Sequence, residues 1–173
     1  MTFAGVKEIF RALNDAEARY LVAGGLAVVA HGYVRLTVDI DLALDLEKRN
    51  LSKTLTALSA LGFQPRVPVE IMEFADPAKR AAWVDEKGMM VFQVVSDRFP
   101  GNSVDLFAVM PFDFEEEYAQ AAWIPIDGDL SVPVVQIDTL IAMKRKAGRD
   151  RDVMDIEHLE RIRQLQDEGT SDT

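Results

Sequence analysis

The chain has 173 residues, about the size of one domain and long enough to bury a core. With 49% hydrophobic and 28% charged residues it is neither a fibre nor a generally disordered chain. A formal net charge of −10 argues against broad DNA binding, which rests on many basic contacts to phosphate, and the absence of cysteine excludes disulfides, thiol catalysis and thiolate-bound zinc.

Charges are spread through MTFAGVKEIFRALNDAEARY, unlike a signal peptide, and no apolar run approaches the roughly 20 residues of a membrane span. A cytoplasmic protein without a membrane partner is the expectation. Val6, Ile9, Phe10 and Leu13 follow helical spacing and predict an amphipathic helix over 6–13. The run 20–23 ends at Gly24 and Gly25, and 26–30 is small and apolar before Gly32, which suits strand, turn and short buried helix. Residues 38–44 alternate and predict a strand; 47–61 predict a helix stopped by Gly62. Pro65 and Pro68 restrict any strand over 63–74 to an edge or a short piece.

Asp76-Pro77 opens a helix that ends near Gly88. Residues 89–95 and 102–109 read as an antiparallel pair around SDRFPGN, and FDFEEEYAQAA as an acidic helix with Glu115, Glu116 and Glu117 on a solvated face. Asp127-Gly128-Asp129 marks a hairpin between 123–126 and 130–135. Asp138 is expected to cap a helix through Ala147, followed by a second over 150–165. One domain over 1–166 and a mobile tail over 167–173 complete the expectation, without repeats or linkers.

Candidate chemistry concentrates in YLVAGGLAVVAHGYVRLTVDIDLAL, residues 20–44. On a strand, Asp39 and Asp41 share one face, roughly 7 Å apart, with Ile40 on the other. Paired carboxylates can hold a divalent metal, and a glycine pair lets backbone N–H groups approach a phosphate; together they suggest a metal-bound triphosphate. A lone diglycine is more often a tight turn than a phosphate site, and the neighbouring Asp39 and Asp41 reverse that balance. Asp105, mid-strand between Val104 and Leu106, is the best third acid, either a ligand or a surface carboxylate. Arg35 and Thr37 either bound a loop or face the nucleotide. His31 reads as structural and His158 as surface. Lys144, Arg145, Lys146, Arg149 and Arg151 form a basic cluster, which is either a solvated face or a contact for triphosphate or RNA, while Asp152 and Asp155 at helical spacing suit pairing with Arg149 or Arg151. Walker, dinucleotide-binding, zinc-protease and nucleophile-elbow motifs are all missing from the sequence.

The segment Gly24-Gly25, five residues, His31-Gly32, then Arg35-x-Thr37-x-Asp39-Ile40-Asp41-Leu42 resembles the first motif of nucleotidyltransferases of the DNA polymerase β-like superfamily, and above all the AbiEii-type toxins and minimal nucleotidyltransferases. LIAMKRKAGRDRDVMDI, residues 140–156, is similar to the lysine-bearing helix and the Asp-x-x-Asp helix that close those proteins. The resemblance implies an α+β fold in which helices surround a mixed, mostly antiparallel sheet. It implies that Gly24 and Gly25 hold the triphosphate of an NTP donor and that Asp39 and Asp41 ligate two magnesium ions, with manganese as a substitute. Asp105 would complete the metal site as ligand or general base; Lys144 would touch phosphate, and Asp152 with Asp155 would organise that end of the cleft. The acceptor would be a hydroxyl of tRNA, protein or a small molecule, in a toxin-antitoxin or phage-defence setting with a cognate antitoxin or toxin. The alternative is an inactive nucleotide- or partner-binding module on the same fold. Many superfamily members place serine where this chain has Gly25. Oligomeric state, including a homo-oligomer, is left open.

Overall fold

The computed structural model describes the backbone of residues 2–171 and the side chains of residues 2–168. Helix α1 (Phe3–Asp15) buries Val6, Ile9, Phe10 and Leu13 and outruns its apolar repeat because the Thr2 side chain caps it, accepting from the Gly5 N–H. Strand β1 (Tyr20–Ala23) is buried at all four positions and passes directly into α2 (Gly24–Ala30). An extended loop leads to β2 (Asp39–Leu44), and α3 (Lys48–Ala60) follows, ending at Gly62, whose φ of 81° is easy only for glycine.

Strand β3 is the two-residue piece Gln64–Pro65, as short as its proline demands, and it is followed by a 3-10 turn over Ile71–Ala75. Helix α4 (Pro77–Lys87) is capped by the Asp76 carboxylate, which accepts from the Ala78 and Lys79 N–H groups, and closed by Gly88 in the left-handed region. Strands β4 (Val91–Val95) and β5 (Ser103–Phe107) pair antiparallel. After α5 (Phe114–Ala119), β6 (Ala122–Asp127) and β7 (Leu130–Val134) form the hairpin, with Asp127 opposite Leu130. Helices α6 (Ile137–Ala147) and α7 (Asp150–Ser171) pack against each other, and α2 packs on β2 and α6.

The seven strands lie in the order β3-β4-β5-β2-β1-β7-β6. Pairs β1/β2, β3/β4, β4/β5 and β6/β7 are antiparallel, while β1/β7 and β2/β5 are parallel, so the sheet is mixed and mostly antiparallel. Ile40, Leu42, Val104 and Leu106 are fully buried in the core, which leaves Asp39, Asp41 and Asp105 on the opposite face of their strands.

Three expectations need correction. Asp138 does not cap α6: Glu117 from α5 does, accepting from the Gln136 N–H and the Thr139 hydroxyl, each at 2.6 Å, while Asp138 pairs with Arg163 of α7. Glu117 therefore leaves the solvated face assigned to its acidic run and is buried. The last helix continues past 165 to Ser171, tied to α6 by Arg163–Asp138 and by Arg145–Glu160 at 2.6 Å; of the expected tail, residues 172 and 173 lie outside the described residues.

Candidate active site

Strands β2 and β5 run parallel in a register that sets Asp39 beside Ser103 and Asp41 beside Asp105. Cross-strand partners share a face at a strand spacing of about 4.8 Å, so the three acids form one patch. Each faces a neutral donor. The Ser103 hydroxyl donates to Asp39 Oδ1, the Gly25 N–H faces the Asp41 carboxylate, and Gln93 Nε2 donates to Asp105 Oδ1 at 2.7 Å.

None of the three acids forms an ion pair among the described residues; the nearby buried ion pairs belong to Asp152 and Asp155. Burial, then the charge of Asp105, raises the pKa of Asp41 above the ordinary carboxylate value, and Lys144 only partly opposes this. Burial raises Asp105 too, against the Gln93 hydrogen bond, with Asp39 adding to the shift. Such a patch of uncompensated carboxylates favours a cation. Among the described residues, no three acidic or histidine side chains close into a ready-made metal-binding group.

The glycine pair is required by this patch on steric grounds. Gly24 has a φ of 59°, and a Cβ there would lie 1.9 Å from Asp41 Oδ2. A Cβ on Gly25 would lie 2.5 Å from Thr37 Oγ1 and 2.8 Å from Arg35 Nη2. The loop between α2 and β2 alternates: Arg35 and Thr37 turn inward over Gly25, whereas Val34, Leu36 and Val38 are 85%, 96% and 60% exposed. Glycine in place of serine at position 25 thus makes room for these two inward side chains.

Beneath Arg35 lies a buried group of opposite charges. Lys144 Nζ donates to Asp155 Oδ2 at 2.6 Å and to Asp152 Oδ1 at 3.2 Å, with Lys144 only 6% exposed. Arg35 contributes the second cation: Nη2 donates to Asp155 Oδ2 at 3.0 Å, and Nε lies 2.8 Å from Oδ1 as an ion contact without a hydrogen bond of its own. The Arg149 backbone N–H donates to Asp152. The structure therefore joins the aspartates of α7 to Lys144 and Arg35, where side-chain pairing with Arg149 or Arg151 was expected. Two cations and two carboxylates balance, and such a group tolerates burial only while all members are present.

His31 has a lowered pKa from burial, and its Nε2 donates to the Val135 carbonyl at 2.7 Å, fastening α2 to the end of β7. His158 is more than surface: its ring stacks on Tyr33 with centroids 3.7 Å apart. Sequence reasoning missed Gln93, Ser103 and Arg66 beside the acids. Their only signal was register, since β4 and β5 alternate in phase and bring Gln93 opposite Asp105.

The solved structures similar to this one include lincosamide antibiotic adenylyltransferase LnuA bound to lincomycin, with a TM-score of 0.60 and 15% identity, covering 94% of this chain and 98% of that one. A solution structure of the antibiotic-resistance factor ANT(2'')-Ia gives 0.59 and 14%, covering 98% and 92%. A crystal structure of ANT(2'')-Ia with adenylyl-2''-tobramycin gives 0.58 and 15%, covering 94% and 95%. At such identities the likeness is one of fold. Among curated protein sequences, none matches significantly. In sequence, residues 9–172 match the family described as "Nucleotidyl transferase AbiEii toxin, Type IV TA system". The chain belongs to the AbiEii nucleotidyltransferase toxin family and is a nucleotidyltransferase enzyme.

Proposed function

We propose that the protein transfers a nucleoside monophosphate from a magnesium-bound NTP to a hydroxyl acceptor, with Asp39 and Asp41 holding the metal and Asp105 accepting the proton. The observation that carries this reading is the patch of Asp39, Asp41 and Asp105 beside Gly24-Gly25, without an ion-paired cation among the described residues. Magnesium commonly takes one or two protein carboxylates and completes its shell with substrate phosphates and water, so two aspartates suffice. When bound, it neutralises charge on the polyphosphate and lowers the pKa of coordinated oxygen.

The remaining work falls to the chain. The Gly24-Gly25 turn draws Asp41, Arg35 and Thr37 against its backbone, and a donor phosphate beside that turn would meet Arg35 and Thr37. Lys144 acts there through charge, since its ammonium is already bonded to Asp152 and Asp155, which set its place and that of Arg35. Of the two roles open to Asp105, proton acceptor fits its raised pKa and the one oxygen that Gln93 leaves free. The acceptor oxygen then bonds to the α-phosphorus as the bond to pyrophosphate breaks, and its proton passes to Asp105.

The test uses α-labelled NTPs with magnesium and a panel of hydroxyl acceptors: bulk tRNA, denatured protein, tobramycin and lincomycin. Label transfer that disappears in Asp41→Asn supports the proposal. A second reading, a nucleotide- or antitoxin-binding module, draws on the crowding of Gly25 by Arg35 and Thr37. It predicts NTP binding by calorimetry with no transfer to any acceptor. In either case the type IV toxin-antitoxin context of the family supports a cognate antitoxin as partner.

A further inference from the structure

A line of polar side chains crosses three strands, and the residue just past a fourth, on the face of the sheet that carries the acids. Register pairs Asp41 with Asp105 and Asp105 with Gln93, and the Arg66 N–H donates to the Gln93 carbonyl at 3.0 Å, continuing the row past β3. Side chains in such a row stand on the same face, with Arg66 roughly 10 Å from Asp105.

The hydrogen bonds along this row run in one direction. Arg66 Nη1 donates to Gln93 Oε1 at 2.5 Å, and Gln93 Nε2 donates to Asp105 Oδ1 at 2.7 Å. A guanidinium has donors only, so Arg66 dictates which end of the Gln93 amide faces it and presents the NH₂ to Asp105. Because the amide is neutral, it holds the carboxylate without an ion pair that would disable it as a base. One oxygen of Asp105 is thereby occupied and the other left for chemistry. A role confined to the fold would not need this arrangement, because Arg66 is exposed and the strands are already joined by backbone bonds.

We infer that Gln93 is a positioning residue that sets which oxygen of Asp105 meets the acceptor hydroxyl, and that Arg66 is a second positioning residue acting only through Gln93. The inference rests on Asp105 as proton acceptor, proposed above.

The test compares Gln93→Leu, Gln93→Glu, Arg66→Met and the double variant Arg66→Met/Gln93→Leu with the wild type, using the NTP and the panel acceptor that the wild type labels. Without the amide donor, a shift of about 1 Å in the Asp105 carboxylate is expected to lower kcat by about 10- to 100-fold in either Gln93 variant, with KM for the NTP within about two-fold. Arg66→Met is expected to cost less, about 3- to 10-fold, and the double variant to equal Gln93→Leu, since residues acting in series do not add. Wild-type kcat in Gln93→Leu, or multiplying losses in the double variant, overturns the inference. Independently of turnover, the side-chain amide resonances of Gln93 should move in Arg66→Met and in Asp105→Asn; unmoved resonances also overturn it. A wild type that labels no acceptor while those resonances respond sinks the proton-acceptor reading, and the catalytic role of Gln93 with it.

Discussion

Gly24 and Gly88 have almost the same backbone, with φ of 59° and 62°, but different surroundings. An added Cβ meets nothing within 4 Å at Gly88, whereas at Gly24 it meets Asp41 Oδ2 at 1.9 Å and Cγ at 2.4 Å. Gly88→Ala therefore measures the backbone term alone, about 1–2 kcal/mol for a left-handed L-residue. With a melting shift of about 2–4 °C per kcal/mol at this chain length, its Tm should fall by about 2–8 °C with transfer intact. Gly24→Ala carries that term plus overpacking of about 1–3 kcal/mol. The Asp41 carboxylate must retreat by about 1.5 Å to reach an ordinary contact, and a catalytic group misplaced by 1 Å costs about 100-fold. The expectation is a clearly larger Tm loss than at position 88, with at least that loss of activity in folded protein. Thermal melts by circular dichroism and label transfer at 20 °C below each Tm, roughly where the folded state dominates, provide the comparison. Equal Tm losses in the two variants, or full activity in Gly24→Ala, would refute the claim that Asp41 packs on the glycine turn.

Asp41→Asn should abolish transfer yet stabilise the fold. Burial and then Asp105 hold Asp41 protonated to higher pH in the folded chain than in the unfolded one. The folded state binds more protons in that window, so wild-type stability falls as pH rises from the ordinary carboxylate value through the raised one, and Asn removes this slope. The gain appears as a higher Tm than wild type at neutral pH, and a Tm below wild type there contradicts it. Lys144→Met leaves Asp155 with Arg35 and Asp152 with the Arg149 backbone N–H, and should cost about 3–5 kcal/mol by chemical denaturation, where a loss below about 1 kcal/mol would mean that the group is solvated. Magnesium at 100 times its Kd should raise wild-type stability by about 2.7 kcal/mol, and the Asp39→Asn/Asp41→Asn variant should show no such rise in melts without nucleotide.

Local pattern made much of the fold legible. The alternation in DIDLAL located β2 and put both acids on its polar face, and Pro65 limited β3 to two residues. Asp76 and Gly88 bounded α4 through capping chemistry that acts within a few residues. Sheet order was less accessible, because pairing β1 with β7 and β2 with β5 joins segments far apart in the chain by bonds that leave no local signature. The same limit hid parts of the candidate site. The partners of Asp155 come from Arg35 and Lys144, and the neighbour of Asp105 from the row containing Gln93, so spacing along the chain could identify the charged residues without saying which would meet. Asp138 shows the opposite error: a residue suited to capping lost that role to Glu117, brought from α5 by tertiary packing.

The bond between Arg35 and Asp155 spans 120 positions of sequence. At a translation rate of about 5–20 residues per second, roughly ten seconds separate the appearance of the first partner from that of the second. During that interval the nascent chain on the ribosome carries the glycine turn and its neighbouring acids while Arg35 still lacks its anchor. A toxin-family enzyme assembled in this order has its glycine turn and acids synthesised well before the buried charge group that anchors Arg35 can be completed.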